Sequence, residues 1–190
     1  MPASQEPDPD KIQLSKFLSY VLRHKPDSIG LTLDPQGWAH VDELISKAQA
    51  SGSLLTQEAL REIVETSDKK RFSLSEDGTR IRSAQGHSIS VHLGLFPQSP
   101  PPVLYHGTAT RFLNSILANG LCAQSRQQVH LSSDKVTARR VGERHGKPVI
   151  LKIDTLQMCA KGFKFFLAEN GVWLVDQVPV EFLSVLNREE

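Results

Sequence analysis

Apolar residues at Leu14, Phe17, Leu18, Val21 and Leu22 follow the i, i+3, i+4, i+7, i+8 spacing of an amphipathic helix, which Pro26 must end. At about 100° per residue, Arg23 falls opposite this stripe and His24 on its flank, so both are free to face a cleft. The plainer account is that a basic pair at a helix C-terminus complements the helix dipole. A second helix is predicted from Val41, Leu44, Ile45 and Ala48. A third begins after Thr56 as N-cap, with Leu60, Ile63 and Val64 facing inward. The period then changes. Arg71 to Leu74 alternate, Asp77-Gly78 marks a turn, and Arg80 to Arg82 alternate again, which predicts a hairpin. Three helices and a hairpin suggest a winged helix. Arg71 is expected on the polar face of the first hairpin strand, with Lys70 sharing the face of Phe72. The run Asp68 to Arg71 could equally be a solvated charge cluster.

The proline cluster Pro97 to Pro102 excludes helix, holds the backbone extended and divides the chain into near-equal lobes. The expected organisation is a flexible acidic tail at 1–10, one lobe at 11–96, a Pro-rich linker at 97–102 and a second lobe at 103–190. The second lobe reads as strands around "VLYHGT", "QVHLS", "PVILKID" and "GVWLV", with helices at about Thr110 to Ala118 and Asp134 to His145. Asn119-Gly120 closes the first of these helices, and Ser132 or Ser133 can cap the second. Gly107 and Gly171 are read as loop glycines that let a ligand approach the backbone, although most turn glycines serve only the turn. The fold class is therefore α+β in two lobes, the second one mixed and mainly β.

Composition narrows the chemistry. With 39% hydrophobic and 23% charged residues this is an ordinary globular chain. No apolar run reaches the ~20 residues of a membrane span. The net charge of +1 argues against bulk attraction to nucleic acid, so any RNA contact must be local. Cys122 and Cys159 are too few for a disulfide framework and lack zinc-site spacing, which points to a reducing, cytoplasmic setting. His106 and His130 each sit in a short apolar strand beside a hydroxyl residue, without metal-ligand spacing, so no metal is expected. Familiar glycine-rich dinucleotide and phosphate loops are absent, as are Ser and Cys nucleophile motifs.

The runs "LSKFLSYVLRHKP", "GWAHVDELI", "KKRFSL", "IRSAQGHS", "YHGT", "SRQQVHLSSD", "VGERHGKPVIL" and "ENGVWLVDQVP" occur in this order between about Leu14 and Phe182. No single run is specific, but the ordered set resembles the tRNA 2′-phosphotransferase family. The resemblance implies an N-terminal winged-helix RNA lobe and a C-terminal ADP-ribosyltransferase-like lobe that holds NAD. It places the family's catalytic Arg-His-Arg-Arg set on Arg23, His24, Arg71 and Arg126. Arg144 competes for the last place, and Arg126 is preferred for its offset before "VHL". His106, Gly107 and Thr108, with His130 and Ser132, match the NAD-lobe motifs. Gln85 to Ser88 match as a unit whose role does not follow from sequence.

The implied reaction has two steps. The RNA 2′-phosphate attacks the nicotinamide-bearing ribose carbon of NAD and expels nicotinamide. The ADP-ribose 2″-hydroxyl then attacks the resulting phosphodiester, releasing 2′-hydroxyl RNA and ADP-ribose 1″,2″-cyclic phosphate. Guanidinium forks suit phosphate oxygens, and His24 could carry a proton. Protein-modifying ADP-ribosyltransferases use a Glu near the third strand motif. Here that region reads "ENGVWLVD", with Glu169 before the glycine, and a phosphate acceptor needs no such activation. The implied partners are NAD, consumed as co-substrate, and a tRNA-like RNA bearing an internal 2′-phosphate, acted on by a monomer. Two rivals remain open on the residues alone: an ADP-ribosyltransferase that stops after the first step, and an RNA-binding module that only senses NAD.

Overall fold

A computed structural model describes residues 9–67 and 70–186. The chain gathers into two compact units, 1–94 and 95–190, each with its own apolar core. Among the described residues there are six α-helices and several small sheets, a mixed α and β structure.

In the first unit α1 spans Pro9–Arg23 and buries Leu18, Val21 and Leu22, with Leu14 and Phe17 packed partly against the same core. The periodic stripe therefore faces inward as its spacing predicts. Pro9 and Asp10 are already helical, which corrects the expected tail at its C-terminal end, and its residues 1–8 lie outside the described residues. Pro26, with φ preset for a turn start, opens a short 3-10 turn, Pro26–Ile29. Then come β1 (Ala39–His40), α2 (Val41–Ala50) and α3 (Gln57–Thr66). Thr56 caps α3 as expected, its Oγ1 accepting from the Ala59 N–H at 3.1 Å.

The predicted hairpin is β2 (Phe72–Leu74) and β3 (Arg80–Ser83), and β1 pairs on the far side to give an antiparallel order β1-β3-β2. Its turn uses Gly78 at φ 69°, and Asp77 Oδ1 accepts the Thr79 N–H at 3.0 Å. One detail differs. Lys70 adopts φ 39° and is exposed while Phe72 is buried, so the strand alternation does not extend back to Lys70. Asp68 and Lys69 of the charge run lie outside the described residues.

The second unit contains β4 (Pro97–Gln98), β5 (Val103–Ala109), α4 (Thr110–Asn119), β6 (Leu121–Cys122), β7 (Val129–Leu131), α5 (Lys135–Glu143) and β8 (Pro148–Asp154). After these come α6 (Thr155–Ala160), β9 (Phe165–Leu167), β10 (Trp173–Val175), β11 (Gln177–Val178) and β12 (Leu183–Val185). Two sheets dominate, β4-β9-β10-β7 and β12-β8-β5, and β11 pairs with β6. The expected linker is partly a sheet edge. Pro97 and Gln98 pair with β9, and the Pro101 carbonyl accepts from the buried Thr155 hydroxyl. A proline is tolerated there because an edge strand has one unpaired side.

Helix α5 is capped by Asp134, whose Oδ1 accepts the Thr137 N–H at 2.7 Å, and not by Ser132 or Ser133. Gly107 lies inside β5 and not in a loop. A Cβ at Gly107 would sit 1.6 Å from the Ala138 carbonyl oxygen, and one at Gly142 would sit 2.6 Å from the Thr108 carbonyl oxygen. The missing side chains thus let the α5 backbone rest directly on β5. Gly171, in the turn before β10, does use its freedom, at φ 79°.

Candidate active site

In the first unit, Arg23 closes α1 and His24 follows it. Ser88 anchors both: its N–H donates to the Arg23 carbonyl at 3.0 Å, and its hydroxyl lies 2.9 Å from His24 Nδ1. The Arg23 guanidinium turns to β3. Its Nε donates to the fully buried Ser83 hydroxyl, its Nη2 lies 3.4 Å from the Arg71 carbonyl, and the Phe72 ring lies 6.0 Å below it. Ser83 can pass its own proton to the Arg71 carbonyl at 3.3 Å, with the Gln85 carbonyl the alternative at 3.4 Å. Arg71 is half-buried and reaches back to α1, where Nη1 donates to Ser15 Oγ at 3.3 Å.

His24 and Arg71 both line an open cleft of about 670 Å³, together with Lys11, Lys16, Tyr20 and Ser67. The structure therefore brings Arg23, His24 and Arg71 together. It also supplies what sequence did not, a role for Gln85 to Ser88. Ser88 holds the end of α1, and His87 is only 2% exposed, its Nε2 facing Gly37. Burial, then the charges of Arg23, His24 and Arg82, push the His87 imidazole down to about 4. His87 is consequently neutral near pH 7, and its Nε2 has no hydrogen-bond partner among the described residues. Trp38 lies under two other cations, the Arg82 guanidinium at 4.5 Å and that of Arg80 at 5.5 Å.

In the second unit, His106 and His130 are brought together by one bridge. Tyr105 and Ser132 exchange backbone hydrogen bonds of 2.9 and 2.8 Å, joining β5 to the end of β7 and so linking the two sheets. His106 Nδ1 lies 3.0 Å from the His130 carbonyl oxygen. A carbonyl only accepts, so Nδ1 carries the proton. Burial lowers the His106 pKa, which leaves the ring neutral with Nε2 as an acceptor. Thr108 is buried, and Gly107, as described, makes room for α5.

Arg126 Nη1 meets His130 Nδ1 at 2.5 Å. A guanidinium only donates, so this nitrogen of His130 is the unprotonated one. Arg126 is exposed as a whole, yet its guanidinium end is enclosed enough for desolvation, followed by the charge of Arg144, to lower its pKa. The two arginines between which the sequence offers a choice thus lie within electrostatic reach of each other. Among the described residues no group of three or more His, Cys, Asp or Glu is placed to hold a metal ion, and no helix is long and apolar enough to cross a membrane.

Each of the two units thus carries a cluster of Arg and His side chains. The chain belongs to the RNA 2′-phosphotransferase, Tpt1/KptA family, whose family model matches residues 9–177. It is 63% identical over 171 residues to a protein of Agrobacterium fabrum (strain C58) named "Probable RNA 2′-phosphotransferase", covering 90% of this chain and 92% of that one. A protein of the same name from Pectobacterium carotovorum (strain PC1) is 59% identical over 172 residues, covering 90% of this chain and 92% of that one. One from Escherichia coli (strain 536) is 55% identical over 178 residues, covering 93% and 97%.

Proposed function

We propose that this protein removes a 2′-phosphate from RNA by transferring it to NAD. The observation that carries the reading is that, in a chain of this family, His24 and Arg71 line one cleft while Arg23 and Ser88 hold them in place. The first unit, three helices with a three-stranded antiparallel sheet, is read as a winged helix that receives RNA. The second, with its two linked sheets, is read as the ADP-ribosyltransferase-like unit that receives NAD.

The residues of the second unit fit a dinucleotide. His106 Nε2, an acceptor by its tautomer, suits a ribose hydroxyl. Arg126, with Arg144 nearby, suits a pyrophosphate or a reacting phosphate. When bound, NAD supplies a preactivated leaving group and a ribose hydroxyl that accepts the phosphate. On the RNA side, Arg71 would bind phosphate oxygens. His24, fixed by Ser88 through Nδ1, would present Nε2 for proton movement as the RNA 2′-oxygen departs. Arg23 is a positioning residue in this account, because its guanidinium is spent on Ser83 and the Arg71 backbone.

The test is to incubate the protein with RNA labelled at an internal 2′-phosphate, with and without NAD, and to resolve the products. Loss of the 2′-phosphate matched by nicotinamide release is the expected result. Release of free phosphate without NAD, or a stable ADP-ribose adduct as end product, would sink it.

A further inference from the structure

The face of α1 beside its core stripe is built from two adjacent rows. Lys11, Ser15, Ser19 and Arg23 form one row at i, i+4 spacing, and Ile12, Lys16, Tyr20 and His24 form the next. The first row borders the core stripe and is half-buried, the second is the more exposed, and the two end at Arg23 and His24. Except for Arg23, all of these residues line the 670 Å³ cleft, whose other wall includes Ile63, Thr66 and Ser67. The cleft is thus much longer than the reacting group needs. Lys11 to His24 covers thirteen helical steps, about 20 Å.

Its chemistry is specific. Lys11 is engaged by Glu62 at 2.5 Å, whereas among the described residues Lys16 has no ion-pair partner. Tyr20 is 48% exposed, an aromatic ring one turn from His24 and one turn from Lys16, with Ile12 and Ile63 among the apolar residues of the same cleft. We infer that this face of α1 is a track for a single RNA strand, with Lys16 meeting a backbone phosphate and Tyr20 stacking on a base beside the 2′-phosphorylated nucleotide. This rests on the function proposed above. A single strand is required because an aromatic ring reaches only the face of an unstacked base, and the bases of a duplex cover one another. The contact is local and tolerant of sequence, in keeping with a chain of net charge +1.

The experiment is direct binding of the full chain to a fluorescein-labelled, single-stranded RNA nonamer without any 2′-phosphate, measured over a range of salt. Tyr20→Ala should weaken binding about tenfold and Tyr20→Phe should not, since stacking needs the ring alone. Lys16→Ala should lower the slope of log affinity against log salt by about 0.7, the loss of one single-strand phosphate contact. Arg61→Ala, on the exposed face of α3, should bind as the parent does. Parental affinity in both the Tyr20→Ala and Lys16→Ala proteins, or equal binding of the matching duplex with the same losses, overturns the track. The turnover assay separates the two ideas. Binding losses as stated with no NAD-dependent turnover would remove the proposed reaction and leave the track, and turnover with unaltered binding would do the reverse.

Discussion

Ser88 holds His24 across a separation of 64 residues, its hydroxyl 2.9 Å from Nδ1 and its N–H on the carbonyl of the neighbouring Arg23. The ring is thereby held in direction, with Nε2 left for other partners, as a proton carrier requires. Ser88→Ala should lower kcat about tenfold, the upper range for one hydrogen bond, with little change in KM. Ser88→Thr keeps a hydroxyl and should recover most of the rate. Equal loss in both variants would make Ser88 a packing residue only.

His24 and Arg71 should matter most where charge accumulates on the transferring phosphate. His24→Ala and Arg71→Ala are each expected to cost about 10²- to 10³-fold in release of 2′-hydroxyl RNA, and considerably less in release of nicotinamide. Quenched time courses that follow both products measure the split. Parallel losses would return the two residues to substrate binding, and Arg61→Ala provides the surface-charge control.

Stability should fall on mild acidification because of His87. Its pKa is about 4 in the folded protein, depressed by burial first and then by Arg23, His24 and Arg82, against 6.5 without those effects. A depressed histidine binds more protons when unfolded, so its contribution is complete above pH 6.5 and is lost as pH falls from 6.5 toward 4. The loss is on the order of 2–3 kcal/mol. Thermal melts at intervals across this window should show the decline, and His87→Phe should make it shallower. An unchanged slope in that variant would place the acid sensitivity elsewhere.

Gly107→Ala should unfold or severely destabilise the second unit, by about 3 kcal/mol or more, because its Cβ would meet a carbonyl oxygen at 1.6 Å. Gly162, with nothing within 4 Å of its would-be Cβ, carries only the cost of its φ of 89° and should lose about 1 kcal/mol as alanine. Comparing the two melts separates steric exclusion from backbone conformation.

What could be read from the chain was what is periodic. The stripe of α1, the cap at Thr56 and the alternation around Asp77-Gly78 each express a local rule, and each reappears in the fold. The two-residue strands β4, β6 and β11 hold too few residues to show a period, and β9 is scarcely longer. Pro97 was legible as extended backbone but not as a sheet edge, since its partner Phe166 is distant in sequence. The same reason hides Ser88, Ser83 and the pairing of Arg126 with His130, all of which depend on contacts that form only on folding. Position on a helix also could not show the partner of Arg23. Opposite the apolar stripe is outward for α1 alone, but β3 lies there and supplies Ser83 to receive the guanidinium.

The contact between β5 and α5 has a mechanical consequence. Where side chains separate two elements, rotamer changes let them slide or breathe by a fraction of an ångström. Here carbonyls abut glycines at Gly107 and Gly142, and no such cushion exists. The strand bearing His106 and the helix that ends at Glu143 must therefore move as one piece. Backbone resting on backbone leaves this pair no soft contact through which to yield.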